Sequence, residues 1–221
     1  MKFSAVPKIG LSFVVLSACL LAQAPANESK GVPPRTAPTD YQAQGKAGAV
    51  TIAADSTGHS VVTPEGTFTT EDYIAVETGF FGAPGAHATI SASDFSLRIN
   101  GKKQPLPSQG YLVILKSLKD PEWIPPDVGQ HESKSKGGIT GGGDSGGGGG
   151  NDPPPAPPKM PLELQRAMAQ KVQRAELPEG DRTLPVAGLL FFAYRGKTDS
   201  IKSMELIYSG SAGKATIELQ P

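Results

Sequence analysis

Between Ala47 and Leu118 short apolar runs alternate with polar positions at a period of two, cut at intervals by Gly, Pro, Asn and Asp. Such alternation gives a chain one buried and one solvated face when it is extended, so these runs predict β-strands. They fall at Ala49 to Ala54, His59 to Thr63, Tyr73 to Phe80, Ala86 to Ser91, Phe95 to Ile99 and Tyr111 to Leu115. The sharpest is Phe95 to Ile99, where Phe95, Leu97 and Ile99 share one face and Ser96 and Arg98 the other. Asn100-Gly101 follows and favours a type I′ turn, whose two central residues both need positive φ.

The period changes after Pro161. Leu164, Met168, Val172 and Ala175 recur at helical spacing while Arg166, Lys171 and Arg174 face away, which predicts a helix from Leu162 to Glu176. Pro161 suits its first turn, and Pro178 with Gly180 stops it. Strands resume at Val186 to Tyr194, Ser203 to Tyr208 and Lys214 to Leu219. In Val186 to Tyr194 both alternating sets are apolar: Leu190, Phe192 and Tyr194 against Leu189, Phe191 and Ala193. A sandwich buries one face of each sheet, so the second face needs a cover. The helix ending about ten residues earlier is the natural lid; the rival is an exposed patch presenting Phe191 and Tyr194 to a partner.

Two stretches break the pattern. From 27 to 45 the chain is polar and Pro-rich, which predicts a disordered linker. From Lys119 to Pro161 it carries Pro125-Pro126, a glycine tract from Gly137 to Gly150 and the prolines from Pro153 to Pro158. Glycine maximises chain entropy and proline cannot pair in a sheet, so 119–161 is expected to be a flexible insert. It interrupts one domain, 46–221, because the last three strands and the helix are too few to hold a core alone. The fold class expected is therefore all-β: an immunoglobulin-like β-sandwich with one inserted helix and a long disordered Gly/Pro-rich loop.

The first 26 residues have a different character. Lys2 and Lys8 precede an apolar run from Ile9 to Leu21 that is short for a membrane span of ~20 residues, and small residues and then polar Asn27-Glu28-Ser29-Lys30 follow. That is the pattern of a cleaved export signal, placing the mature chain in the periplasm, the cell envelope or outside the cell. Cys19, the only cysteine, lies in Leu16-Ser17-Ala18-Cys19, which is similar to the lipobox of bacterial lipoproteins. Ala24-Pro25-Ala26 offers ordinary cleavage instead, and both readings of Cys19 stand. Either way no intramolecular disulfide can form, so the core alone must hold the fold.

Charge and composition then narrow the function classes. The chain balances 21 basic against 21 acidic residues, and loss of Lys2 and Lys8 with the signal leaves the mature chain slightly acidic. That gives no electrostatic footprint for nucleic acid, and a membrane would be met only through a lipid on Cys19.

Within the strands, Tyr73-Ile74-Ala75-Val76-Glu77-Thr78, then Ser93-Asp94-Phe95-Ser96-Leu97 and Asn100-Gly101-Lys102, with later Pro185 to Phe192, Leu206-Ile207-Tyr208 and Ala215 to Leu219, resemble bacterial extracellular immunoglobulin-like domains of the domain-of-unknown-function 4352 type. The resemblance implies a sandwich and an extracytoplasmic location, and carries no catalytic residues. The insert with its helix departs from that pattern.

Candidate chemistry is sparse. Gly143-Asp144-Ser145-Gly146-Gly147 matches the nucleophile motif of chymotrypsin-like peptidases, but glycine on both sides cannot fix a serine for catalysis. None of His59, His87 and His131 sits in the setting that the family's histidine occupies, and they lack metal-ligand spacing. Asp120, Glu122, Asp127 and Glu132 lack the acidic ladder of a calcium loop. No catalytic, metal or cofactor residue is therefore expected. Trp123, among Pro121, Pro125 and Pro126, is the remaining feature: a loop tryptophan either plugs the end of a sandwich or anchors a partner. The expectation is a non-catalytic binding or structural module of the cell envelope whose ligand or partner is an unknown envelope protein or ligand. An assembly or chaperone-like factor is the alternative, and a secreted serine hydrolase a third reading.

Overall fold

The computed structural model describes residues 29–126 and 159–221. Residues 1–28 with Cys19, most of the Gly/Pro-rich insert, His131 and Ser145 lie outside the described residues.

Eight antiparallel strands form one large sheet: β1 (Ala43–Ala47), β2 (Val50–Gly58), β5 (Tyr73–Phe81), β11 (Val186–Ala193), β8 (Leu106–Gln109), β7 (Phe95–Ile99), β12 (Met204–Gly210) and β13 (Gly213–Leu219), in that spatial order. The sheet folds over on itself. Its two outermost strands come together, with Gly45 of β1 against Ile217 of β13, and side chains from both halves meet in one core. This is the all-β sandwich that the alternating pattern predicts. A two-stranded sheet of β6 (His87–Ile90) and β10 (Gly180–Thr183) and a three-stranded one of β3 (Ser60–Thr63), β4 (Gly66–Thr70) and β9 (Leu118–Lys119) complete the strands. Two helices, α1 (Tyr111–Ile114) and α2 (Leu162–Ala175), pack outside the large sheet.

The period-two logic fixes which side chains go inward. Phe95, Leu97 and Ile99 are buried and Ser96 and Arg98 are not. Phe95 meets Phe80 edge-on at 5.8 Å and Tyr208 at 5.0 Å between centroids, giving the core an aromatic centre. Asn100 and Gly101 take φ of 52° and 64°, and the Lys102 amide donates to the Ile99 carbonyl at 3.2 Å, which closes the predicted turn. Asn100 also accepts from the amides of Lys202 and Ser203 through its side-chain oxygen, fastening the turn to the start of β12.

Strands from either side of the insert interleave. β11 lies between β5 and β8, and β12 lies beside β7, so neither half of the chain holds the large sheet alone.

Strand β11 is buried on both faces, as its sequence requires. Leu190 and Phe192 enter the main core, while Ala187, Leu189 and Phe191 enter a second core closed by Met168, Val172 and Ala175 of α2. The helix is the lid. Burying Met168 and Val172 there contributes about 1.5–3 kcal/mol each. Gly188 makes the junction close: a side chain at that position would run into the backbone of Leu177, whose amide donates to the Leu189 carbonyl at 3.0 Å.

Three expectations need correction. Residues 29–45 are no loose linker from Ser29 onward: the Val32 amide donates to the Ala187 carbonyl at 2.9 Å, Tyr41 is buried against Ala53 and Phe81, and Ala43–Ala47 is an edge strand. An ionic strap holds this segment, with Arg35 paired to Asp55 and Glu77 and lying 4.3 Å over the Tyr41 ring. Burial opposes the Arg35 charge, but the two carboxylates more than offset it and hold its pKa above the ordinary value. Tyr111 to Leu115 is a helical turn, not a strand. Its start is held by Glu176, which accepts the Tyr111 amide at 3.0 Å, and its end by Ser117, whose hydroxyl donates to the Ile114 carbonyl at 3.0 Å. Third, order does not fail at Lys119: Leu118–Lys119 pairs with Thr69 and Thr70 of β4, and a turn at Asp120 follows.

Candidate functional site

Trp123 lies a turn beyond the end of β9. The Asp120 carboxylate accepts the Glu122 amide at 2.9 Å and the Asp120 carbonyl accepts the Trp123 amide at 3.2 Å. This tight turn carries the indole, half-buried, into a groove of about 630 Å³ walled by Leu115, Leu118, Met160 and Met168. Lys116, Lys119 and Lys159 stand at its edge. Met160 and Met168 come from the far side of the insert, so the groove exists only in the folded chain. Two methionines and a tryptophan make an adaptable apolar surface. The groove lies outside the main core, with Leu118 and Met168 belonging to the second one.

Phe191 and Tyr194, the other predicted partner residues, do not join it. Phe191 is fully buried beneath α2 and offers no surface. This corrects its assignment as a contact residue: the apolar outer face of β11 is satisfied within the chain. Tyr194 sits at the other end of β11, where its hydroxyl meets that of Ser200 at 2.8 Å and its ring stacks on His59 at 6.2 Å. The His59 ring nitrogens lie 2.8 Å from the Tyr73 carbonyl and 2.9 Å from the Gly196 carbonyl, so this histidine ties two chain segments together. Tyr194 lines a separate cleft with Lys102, Asp72 and Arg195, the last two paired at 3.0 Å.

A polar cleft of about 450 Å³ lies where the C-terminus of α2 meets α1, bordered by Tyr111, Glu176, Glu179, Ser93 and Ser108. Burial raises the Glu176 carboxyl above its ordinary pKa, against the opposing bond from Tyr111. Asp94, beside this cleft, is raised by burial and then by the charge of Glu179. Glu179 accepts the Ala92 amide at 2.8 Å and pins the turn before β7. Glu176 and Glu179 thus hold the loops around the cleft in place.

Among the described residues no group of three or more His, Cys, Asp or Glu side chains is placed to hold a metal ion. His87 is exposed beside Asp181, with 3.5 Å between them. No helix among the described residues is long and apolar enough to cross a membrane. Compared with known protein families, curated proteins and solved structures, the chain shows no significant match.

Proposed function

We propose that this chain is an exported, non-catalytic module of the cell envelope that binds a partner through the Trp123 groove. Export rests on the basic, apolar and small-residue order of residues 1–26, and the resemblance of its strands to extracellular immunoglobulin-like domains agrees with that address. Cys19 is the candidate lipid anchor. The observation that carries the binding role is the groove itself: a half-buried tryptophan with leucine and methionine walls and a lysine edge, placed outside the main core. Tryptophan in such a setting supplies a large contact area at small entropic cost, which is why it dominates binding energy at interfaces.

The mature chain, used as bait in an envelope extract, should retain a discrete set of components that Trp123→Ala loses while keeping the wild-type circular dichroism spectrum. Equal retention by both proteins refutes the role of the groove. The hydrolase reading is tested separately: labelling of Ser145 by a fluorophosphonate, abolished in Ser145→Ala, would replace the binding module with an enzyme. The chaperone-like reading loses its specific support, because the apolar strand it relied on is covered by α2.

A further inference from the structure

We propose that the cleft at the end of β11, separate from the Trp123 groove, binds an acidic saccharide: a sugar ring that carries a carboxylate.

The sheet itself opens this cleft. β11 pairs with β8 only through Phe191↔Gln109 and Phe192↔Ser108. The next residue of β8 in that register is Pro107, opposite Ala193, and proline has no N–H to give to a ladder. The two strands part there and leave a cleft of about 610 Å³, within the size range of small-ligand sites. Ile99 of the main core, with Leu106 and Tyr194 packed against that core, gives the cleft an apolar wall.

The loops on either side are fixed in place. Ser200 fastens both. Its hydroxyl donates to the Lys197 carbonyl at 2.6 Å and meets the Tyr194 hydroxyl at 2.8 Å, while its carbonyl accepts from the Asn100 side-chain amide at 3.1 Å. His59 stacks on Tyr194 and lies 2.9 Å from the Gly196 carbonyl. Gly196 comes so near the Tyr194 ring that a side chain there would run into it. A ligand meets walls that are already placed, which lowers the cost of binding.

Charge and hydrogen-bonding capacity choose the occupant. Lys102, Arg195 and Asp72 line the cleft. Arg195 Nε pairs with Asp72 at 3.0 Å, which cancels one charge of each sign and leaves the Lys102 ammonium without a partner among the described residues. Lys103, Lys197 and Lys202 stand on the same two loops without lining the cleft, against Asp199 alone. This local surplus of positive charge, on a mature chain that is slightly acidic, calls for an anion. Beside Lys102 the exposed Gln104 amide, also unpartnered among the described residues, both donates and accepts, as neighbouring hydroxyls require. A bare inorganic anion uses neither Gln104 nor the apolar wall. A sugar acid uses all three, with its carboxylate at Lys102, hydroxyls at Gln104 and its C–H face on Ile99, Leu106 and Tyr194.

The test is calorimetric titration of the full mature chain with trigalacturonate and with N-acetylmuramate at low ionic strength. At least one should bind saturably, more weakly as sodium chloride is added, and Lys102→Gln should weaken it by about tenfold or more. Gln104→Ala should weaken it too. Both variants change exposed side chains and should keep the wild-type melting temperature. Maltotriose, which has no carboxylate, should bind at least about tenfold more weakly than the sugar acid. Equal binding of the two refutes the charge argument, and citrate binding as tightly as the sugar acids refutes the saccharide. Absence of binding by both sugar acids at millimolar concentration overturns the proposal. Trp123→Ala should leave sugar-acid binding unchanged; if it abolishes that binding, the ligand sits in the Trp123 groove, so this cleft loses its role and the binding module survives.

Discussion

Thr78 places a hydroxyl in the middle of the main core with nothing to bond. It lies on the inward face of β5, fully buried, and its Oγ1 has no hydrogen-bond partner. Its cross-strand neighbours explain why: Ala54 on β2 and Gly188 on β11 carry no polar side chain that could reach it. Leaving such a group dry and unpaired costs about 1–3 kcal/mol. Thr78→Val keeps the branched shape and the β-propensity while replacing the hydroxyl by a methyl, whose burial adds about 0.8 kcal/mol in place of the penalty. Part of this is offset by tighter packing around a slightly larger group. We expect a net stabilisation of ~1–2 kcal/mol, seen as a rise in melting temperature of about 3–6 °C in calorimetry. Thr78→Ser is the control. It keeps the unpaired hydroxyl and loses the methyl, so it should melt below wild type. A Thr78→Val protein that melts at or below the wild-type temperature refutes the reasoning and means that the hydroxyl has a partner, such as a buried water.

Phe95→Ala removes a fully buried ring from the aromatic centre formed with Phe80 and Tyr208 and should cost roughly 3–5 kcal/mol in urea unfolding; an unchanged midpoint would put Phe95 on the wrong face. Burial raises Glu176, so the folded chain holds its proton more tightly than the unfolded chain, and the stability this gives is lost as pH rises through the raised value. Glu176→Gln, which can still accept the Tyr111 amide, should therefore be the more stable protein at pH 7, with the gap closing as pH falls toward ~4. A gap independent of pH would contradict the burial argument. Cys19→Ser should move the protein from the membrane fraction to the soluble one if Cys19 carries a lipid, whereas an intact mass for a chain starting at Asn27 would assign ordinary cleavage.

The sequence by itself determined those elements whose own side chains say which way to face. Phe95 to Ile99 alternates cleanly, Asn100-Gly101 accepts the positive φ that its turn needs, and the two apolar faces of Val186 to Ala193 demanded a lid that the stripe of α2 supplies. The physical reason is locality, since a period of two or of 3.6 is written into consecutive residues before anything packs. Tertiary structure decided the rest. Gly180–Thr183 has no apolar residue and is a strand only because His87–Ile90 lies beside it, and Ala43–Ala47 extends because β2 offers it an open edge. Tyr111 to Ile114, apolar enough to read as a strand, coils because the Glu176 carboxylate, 65 positions away, takes its first amide. The Trp123 groove belongs to this second kind. Its tryptophan is visible in the sequence, but Met160 and Met168 reach it from beyond the glycine and proline tract, and only the packing of α2 on β11 brings the two sides together.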